Sequence, residues 1–149
     1  MKTFFGFIMT FILLCAGVLV IPALVDAGDS GEVREGSMPE LEMVALDGET
    51  VKLSELRGSV VLVDIWATWC KPCLSSLPYY AELYERHRKD GLVVLAISVD
   101  ESRSDVEAYL KRRPLPFTVL HDSDHRVSRT FSPRTMPTLY MIDREGRVA

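Results

Sequence analysis

The chain has 149 residues, with 17 lysines and arginines against 21 aspartates and glutamates, and a net charge of −4 at pH 7. That mild acidity, with no basic tract longer than Lys111-Arg112-Arg113, excludes nucleic-acid binding as its main task. With 48% hydrophobic residues, the length suits a leader followed by one domain with a packed core.

Residues 1–27 read as a signal peptide or a membrane anchor. Lys2 supplies a positive start, and residues 4–25 are nearly all apolar, broken by Thr10 and Pro22. Val25-Asp26-Ala27 offers small residues for cleavage, yet the run approaches the ~20 residues that span a bilayer, so both alternatives stand. Cys15 is a poor lipidation site, because Leu14 precedes it where a small residue is wanted. Either way the domain is expected outside the cytoplasm, in an oxidising compartment. Residues 28–37 are polar and glycine-containing, and read as a linker to a domain over 38–149.

Residues 41–46 and 50–53 alternate loosely around Asp47-Gly48, which predicts a β-hairpin. Residues 54–58 form a helical turn ending at Gly58. The apolar run at 60–66 predicts a buried strand, 71–89 a helix, and 92–97 a second strand. A strand–helix–strand unit implies parallel pairing. Pro78 is expected to kink the helix it interrupts. Ser102 or Ser104 caps a second helix, with Val106, Tyr109 and Leu110 at helical spacing, which must end before Pro114. A short strand over 117–120, a small helix capped by Asp124, a strand over 138–142 and a turn at 143–146 complete the pattern.

The informative segment is Trp66-Ala67-Thr68-Trp69-Cys70-Lys71-Pro72-Cys73. Two cysteines spaced by two residues at a helix start form a redox pair. Cys70 faces unpaired N–H groups and the positive end of the dipole, which favour thiolate over thiol. Lys71 adds positive charge, and Pro72 suits the first turn, where a missing N–H costs nothing. A zinc site would need two more ligands, and the remaining cysteine, Cys15, lies in the leader. Cys70 is then the attacking sulfur and Cys73 the resolving one. His87, His121 and His125 read as ordinary surface or packing residues.

Three separated signatures resemble those of thioredoxin-fold thiol–disulfide oxidoreductases of the TlpA/ResA type, extracytoplasmic proteins linked to cytochrome c maturation. They are Trp69-Cys70-Lys71-Pro72-Cys73, Pro78 five residues past the second cysteine, and Met136-Pro137-Thr138 before a late strand. The likeness runs from about residue 36 to the end. It implies an α/β thioredoxin-like fold with an N-terminal β-hairpin extension and a mixed central sheet flanked by helices. It assigns Asp64 as proton acceptor for Cys73, although many proteins of this branch carry Asn there; the competing reading is an acid hydrogen-bonded to backbone. Glu101 becomes an acid near the cysteine pair that shifts its acid–base behaviour, or else a helix-start acid favoured by the dipole. Pro137 is expected to be cis, with Met136 offering its backbone to an extended substrate. Trp69 stays at the surface beside Cys70, and Trp66 packs in the core.

The resemblance implies reduction of protein disulfides, for example the haem-binding cysteines of apocytochrome c. Electrons would come from a membrane thiol reductase, and no cofactor is required because the sulfurs carry the chemistry. The rival readings are a peroxiredoxin-like peroxidase, whose Pro-x-x-x-Thr-x-x-Cys pattern does not occur here, and a copper-binding metallochaperone of the same fold. After the 143–146 turn only Arg147, Val148 and Ala149 remain, so the family's last strand and helix have no counterpart. The expectation is a fragment, with a stub strand at 147–149 and exposed apolar side chains where the helix would lie.

Overall fold

A computed structural model describes residues 33–149. The predicted leader, 1–27, and the first half of the predicted linker lie outside the described residues. Strands β1 (Glu42–Val44) and β2 (Thr50–Lys52) pair antiparallel as the predicted hairpin, with Gly48 at φ 95° in its turn. A left-handed φ of that kind is open to glycine at little cost. A 3₁₀ turn at Leu53–Leu56 leads into β3 (Val60–Trp66), followed by α1 (Lys71–His87) and β4 (Leu92–Ser98). Then come α2 (Arg103–Arg112), β5 (Thr118–His121), α3 (Arg126–Phe131) and β6 (Thr138–Ile142).

The central sheet has the order β5-β4-β3-β6, with β3 parallel to β4, β4 parallel to β5, and β6 antiparallel to β3. As a central strand, β3 is buried on both faces, which is why its sequence is an apolar run interrupted by Asp64 rather than an alternation. Leu62 and Trp66 on one face cluster with Val94 and Ala96 of β4, with Cys73 and Leu77 of α1, and with Val106 and Tyr109 of α2. Two successive crossovers running the same way along the sheet put both helices on that face. Val61, Val63 and Ile65 pack on the other face with Leu95, Ile97, Leu41, Leu53 and Phe131, so the hairpin, the 3₁₀ turn and α3 cover it. Tyr140 donates its hydroxyl to the Phe131 carbonyl, and the two rings meet edge to face with centroids 5.0 Å apart.

Leu77 is fully buried where α1 meets the sheet. Leu77→Ala should therefore cost about 2–5 kcal/mol, read as a shift of the urea unfolding midpoint. A loss within ±0.5 kcal/mol, the range of a surface substitution, would mean that α1 does not carry this face of the core.

The helix ends add detail to the expectations. Helix α1 runs from Lys71 to His87 with Pro78 inside it, so the proline does not end the helix. Ser102, one of the two expected caps, is the N-cap of α2, but its hydroxyl bonds that of Ser104 at 2.7 Å instead of a helix amide. Helix α3 is capped chiefly by Asp122, which accepts from the amides of Val127 at 3.2 Å and Ser128 at 2.7 Å. Asp124, the predicted cap, instead accepts from the Arg126 amide and side chain. At the end of the chain Val148 forms a single antiparallel bridge to Ile142, and its backbone also bonds Gly36 and Ser37. On β6, Leu139 and Met141 point to the α1 side of the sheet and are 40% and 47% exposed.

Candidate active site

The parallel strands β3, β4 and β5 end together, and the cysteine pair stands at that end, where helix α1 begins. Cys70 is the N-cap of α1: its backbone is extended, and its sulfur accepts from the Cys73 amide at 3.3 Å. No acid occupies the first turn, and Lys71 opens it with an exposed side chain. The positive end of the helix therefore meets the sulfur without a competing carboxylate in that turn. Pro72 sits among the first helical residues, where no partner is available for an N–H. Cys70 and Cys73 are joined in a disulfide with Cα atoms 5.3 Å apart. Cys70 is 6% exposed and Cys73 fully buried, so an incoming group meets Cys70 first, although by a narrow margin.

Asp64 lies on β3 between Leu62 and Trp66, on the face that α1 covers. It is fully buried, and neither carboxylate oxygen has a hydrogen-bond partner in the protein. The alternative of an acid satisfied by backbone does not hold. Burial pushes its pKa from 3.8 up to about 7. Tyr80 of α1, whose own pKa burial raises, also feels the Asp64 charge.

The sign of the resulting pH dependence is fixed. Between about pH 4 and pH 7 the folded chain holds a proton that the unfolded chain has released, so stability falls as pH rises through that window. From pH 5 to pH 8 the wild type should lose about 2–3 kcal/mol relative to Asp64→Asn, by urea unfolding at both values. A wild-type–variant difference that stays constant across that range would show that Asp64 ionises near its ordinary value.

At the same end of the sheet lies a groove of about 680 Å³, lined among others by Trp69, Glu101, His125, Arg129, Arg134 and Met136 but by neither cysteine. Trp69 is 67% exposed, whereas Trp66 is fully buried against Tyr109. Glu101 is exposed and borders the groove together with Trp69. The Met136–Pro137 bond is cis, and Met136 packs against the same apolar cluster as Cys73. The fold thus gathers Cys70, Cys73, Asp64, Trp69, Glu101, Met136 and Pro137 at one end of the sheet.

Sequence reasoning missed Asp100, immediately before Glu101. Asp100 is 2% exposed and accepts from the Thr68 amide, the Thr68 hydroxyl and the Ser98 hydroxyl. Its neighbour faces solvent, and no periodicity in the loop after β4 distinguishes the two acids. The available signal was Ser98-x-Asp100, a polar pair at the end of a buried strand.

Among the described residues no group of three or more His, Cys, Asp or Glu side chains is placed to hold a metal ion, and no helix is long and apolar enough to cross a membrane.

A family model described as the AhpC/TSA family matches residues 35–149. The chain is 34% identical over 110 residues to the thiol-disulfide oxidoreductase ResA of a Bacillus cereus strain, covering 74% of this chain and 64% of that protein. It is 34% identical over 138 residues to ResA of Bacillus subtilis (strain 168), covering 92% and 76%. The chain thus spans just under two thirds of the length of several of the curated relatives it matches. Among solved structures, the thiol:disulfide interchange protein DsbE from Chlorobium tepidum superposes with a TM-score of 0.74 at 34% identity, covering 78% of this chain and 83% of that one. The exposed lipoprotein thioredoxin Etrx1 from Streptococcus pneumoniae strain TIGR4 gives 0.67 at 31% identity, covering 74% and 85%.

Proposed function

The chain belongs to the AhpC/TSA family, thioredoxin-like in fold, and from that premise we propose that it is an extracytoplasmic thiol–disulfide oxidoreductase that reduces protein disulfides. The observation that carries the reading is the cysteine pair itself: Cys70 caps α1 with its sulfur on the Cys73 amide, and Cys73 is buried behind it. The similarity to proteins named ResA and DsbE supports the same chemistry.

In the reduced chain the Cys70 thiolate attacks one sulfur of a substrate disulfide. A Cys70–substrate disulfide forms, and the other substrate sulfur leaves as a thiolate. Asp64 accepts the proton of Cys73, whose thiolate then attacks Cys70 Sγ. The Cys70–substrate bond breaks, the second substrate sulfur leaves as a thiolate, the two thiolates take up protons from solvent and the Asp64 carboxyl, and the chain is left with the Cys70–Cys73 bond. Lys71 and Pro72 tune Cys70 at the helix start, Glu101 adjusts the acid–base behaviour of the pair from the groove, and Trp69, Met136 and Pro137 flank an extended substrate segment. Two electrons must then be returned by a thiol donor. A membrane thiol reductase meets that requirement outside the cytoplasm, and apocytochrome c is the substrate that the resemblance favours. The sulfurs suffice for the reaction without a cofactor.

The test is reduction of insulin by the full chain with dithiothreitol as electron source. The expected result is precipitation of insulin chains well ahead of dithiothreitol alone. No acceleration would overturn the reading.

A further inference from the structure

We propose that Asp100 is a positioning residue for Cys70: its carboxylate clamps Thr68 and thereby holds the turn that seats the sulfur on the Cys73 amide. The inference rests on the thiol–disulfide exchange reading above.

A buried carboxylate is costly unless its oxygens are satisfied, and those of Asp100 are. Oδ2 accepts from the Thr68 amide at 2.9 Å and from Ser98 Oγ at 2.7 Å. Oδ1 accepts from Thr68 Oγ1 at 2.6 Å and from the same amide at 3.2 Å. Asp100 is itself held in place. Its amide donates to Ser98 Oγ at 3.1 Å, and its carbonyl is 2.7 Å from His121 Nε2. Bonds of this kind to a carboxylate are shorter and stronger than neutral ones.

The clamp ties the loop after β4 to the loop that carries the nucleophile. Just before it, the Val99 amide donates to the Trp66 carbonyl at 2.9 Å. Just after it, the Cys70 amide closes on the Ala67 carbonyl at 3.1 Å, and the Leu74 amide bonds the Cys70 carbonyl at 3.0 Å. Thr68 is the middle of this turn, and Asp100 is what fixes its backbone. The Cys73 amide meets Cys70 Sγ at 3.3 Å, a normal separation for a sulfur acceptor, so the bond is made as long as the turn keeps the sulfur over that amide. Misplacements of about 1 Å can cost as much as 10²-fold in rate.

Positioning and charge act in opposite directions, which makes the proposal testable. A clamp that seats Cys70 lowers its thiolate pKa, whereas a nearby buried negative charge raises it. Asp100→Asn keeps the size, removes the charge and turns an amide donor toward groups that already donate. Thr68→Val removes only the hydroxyl donor and leaves the carboxylate in place. Lys71 and Glu101 at the rim are untouched by either. The measurements are the ultraviolet absorbance of the Cys70 thiolate against pH, the rate of attack on a small aromatic disulfide at pH 7, and the thermal midpoint. In Asp100→Asn the thiolate pKa should rise and the attack rate fall about tenfold, with Thr68→Val moving the same way by less. A lower thiolate pKa with faster attack in Asp100→Asn would overturn positioning in favour of charge. A lower thermal midpoint with pKa and rate unchanged in both variants would leave only a structural role and equally overturn it. Should Asp100→Asn fail to fold, Thr68→Val decides alone. Failure of the wild type to attack the disulfide would instead remove the exchange reading on which the clamp depends.

Discussion

Cys70→Ser is expected to abolish disulfide exchange, with a loss of at least about 10³-fold, because a serine hydroxyl is not ionised at neutral pH even at a helix N-terminus. Cys73→Ser should behave differently. Cys70 remains at the N-cap and can still attack, but nothing resolves the product, so mixed disulfides with substrate accumulate. The two roles follow from placement: Cys70 at the mouth of the site and Cys73 fully buried one turn in. Mass spectrometry of trapped complexes separates the variants. Complexes with Cys70→Ser and none with Cys73→Ser would reverse the assignment.

The second large effect is expected at Asp64. The carboxyl has a pKa of about 7, set by burial, so at neutral pH it divides between an acid and a base. As proton acceptor for Cys73 it should make the resolving step speed up as pH rises through about 7. Asp64→Asn should slow that step about 10²-fold and erase its titration near 7, while initial attack by Cys70 changes little. Stopped-flow fluorescence of Trp66 and Trp69 can follow both steps. Equal slowing of attack and resolution would exclude the proton-acceptor role.

Strong local signals made much of this molecule legible in its sequence. An apolar run with a single acid in it reads as a central strand or a buried helix, and its length at 60–66 with a helix start directly after it favours a strand. Asp64 stood out because a carboxylate in such a run needs a reason to be there. Pro72 and the cysteine spacing marked the start of α1 to within a turn. What was not legible depends on which way a loop turns. Asp122 rather than Asp124 caps α3, because the chain doubles back after β5 and brings Asp122 under amides five and six residues ahead. Likewise Asp100 points inward and Glu101 outward, a choice made by the path of the loop and not by composition. Cys70 is also more enclosed than a helix-start position suggests, because it packs in one cluster with Trp66, Leu77 and Met136.

The central claim is that the Cys70–Cys73 pair donates electrons to protein disulfides. Its reduction potential tests this most directly, by equilibrating the full chain in graded glutathione or dithiothreitol buffers and quantifying the free thiols. A reductant of this kind should equilibrate at about −270 mV, whereas a value of about −120 mV would mark a disulfide-forming oxidant and contradict the direction of electron flow assigned here.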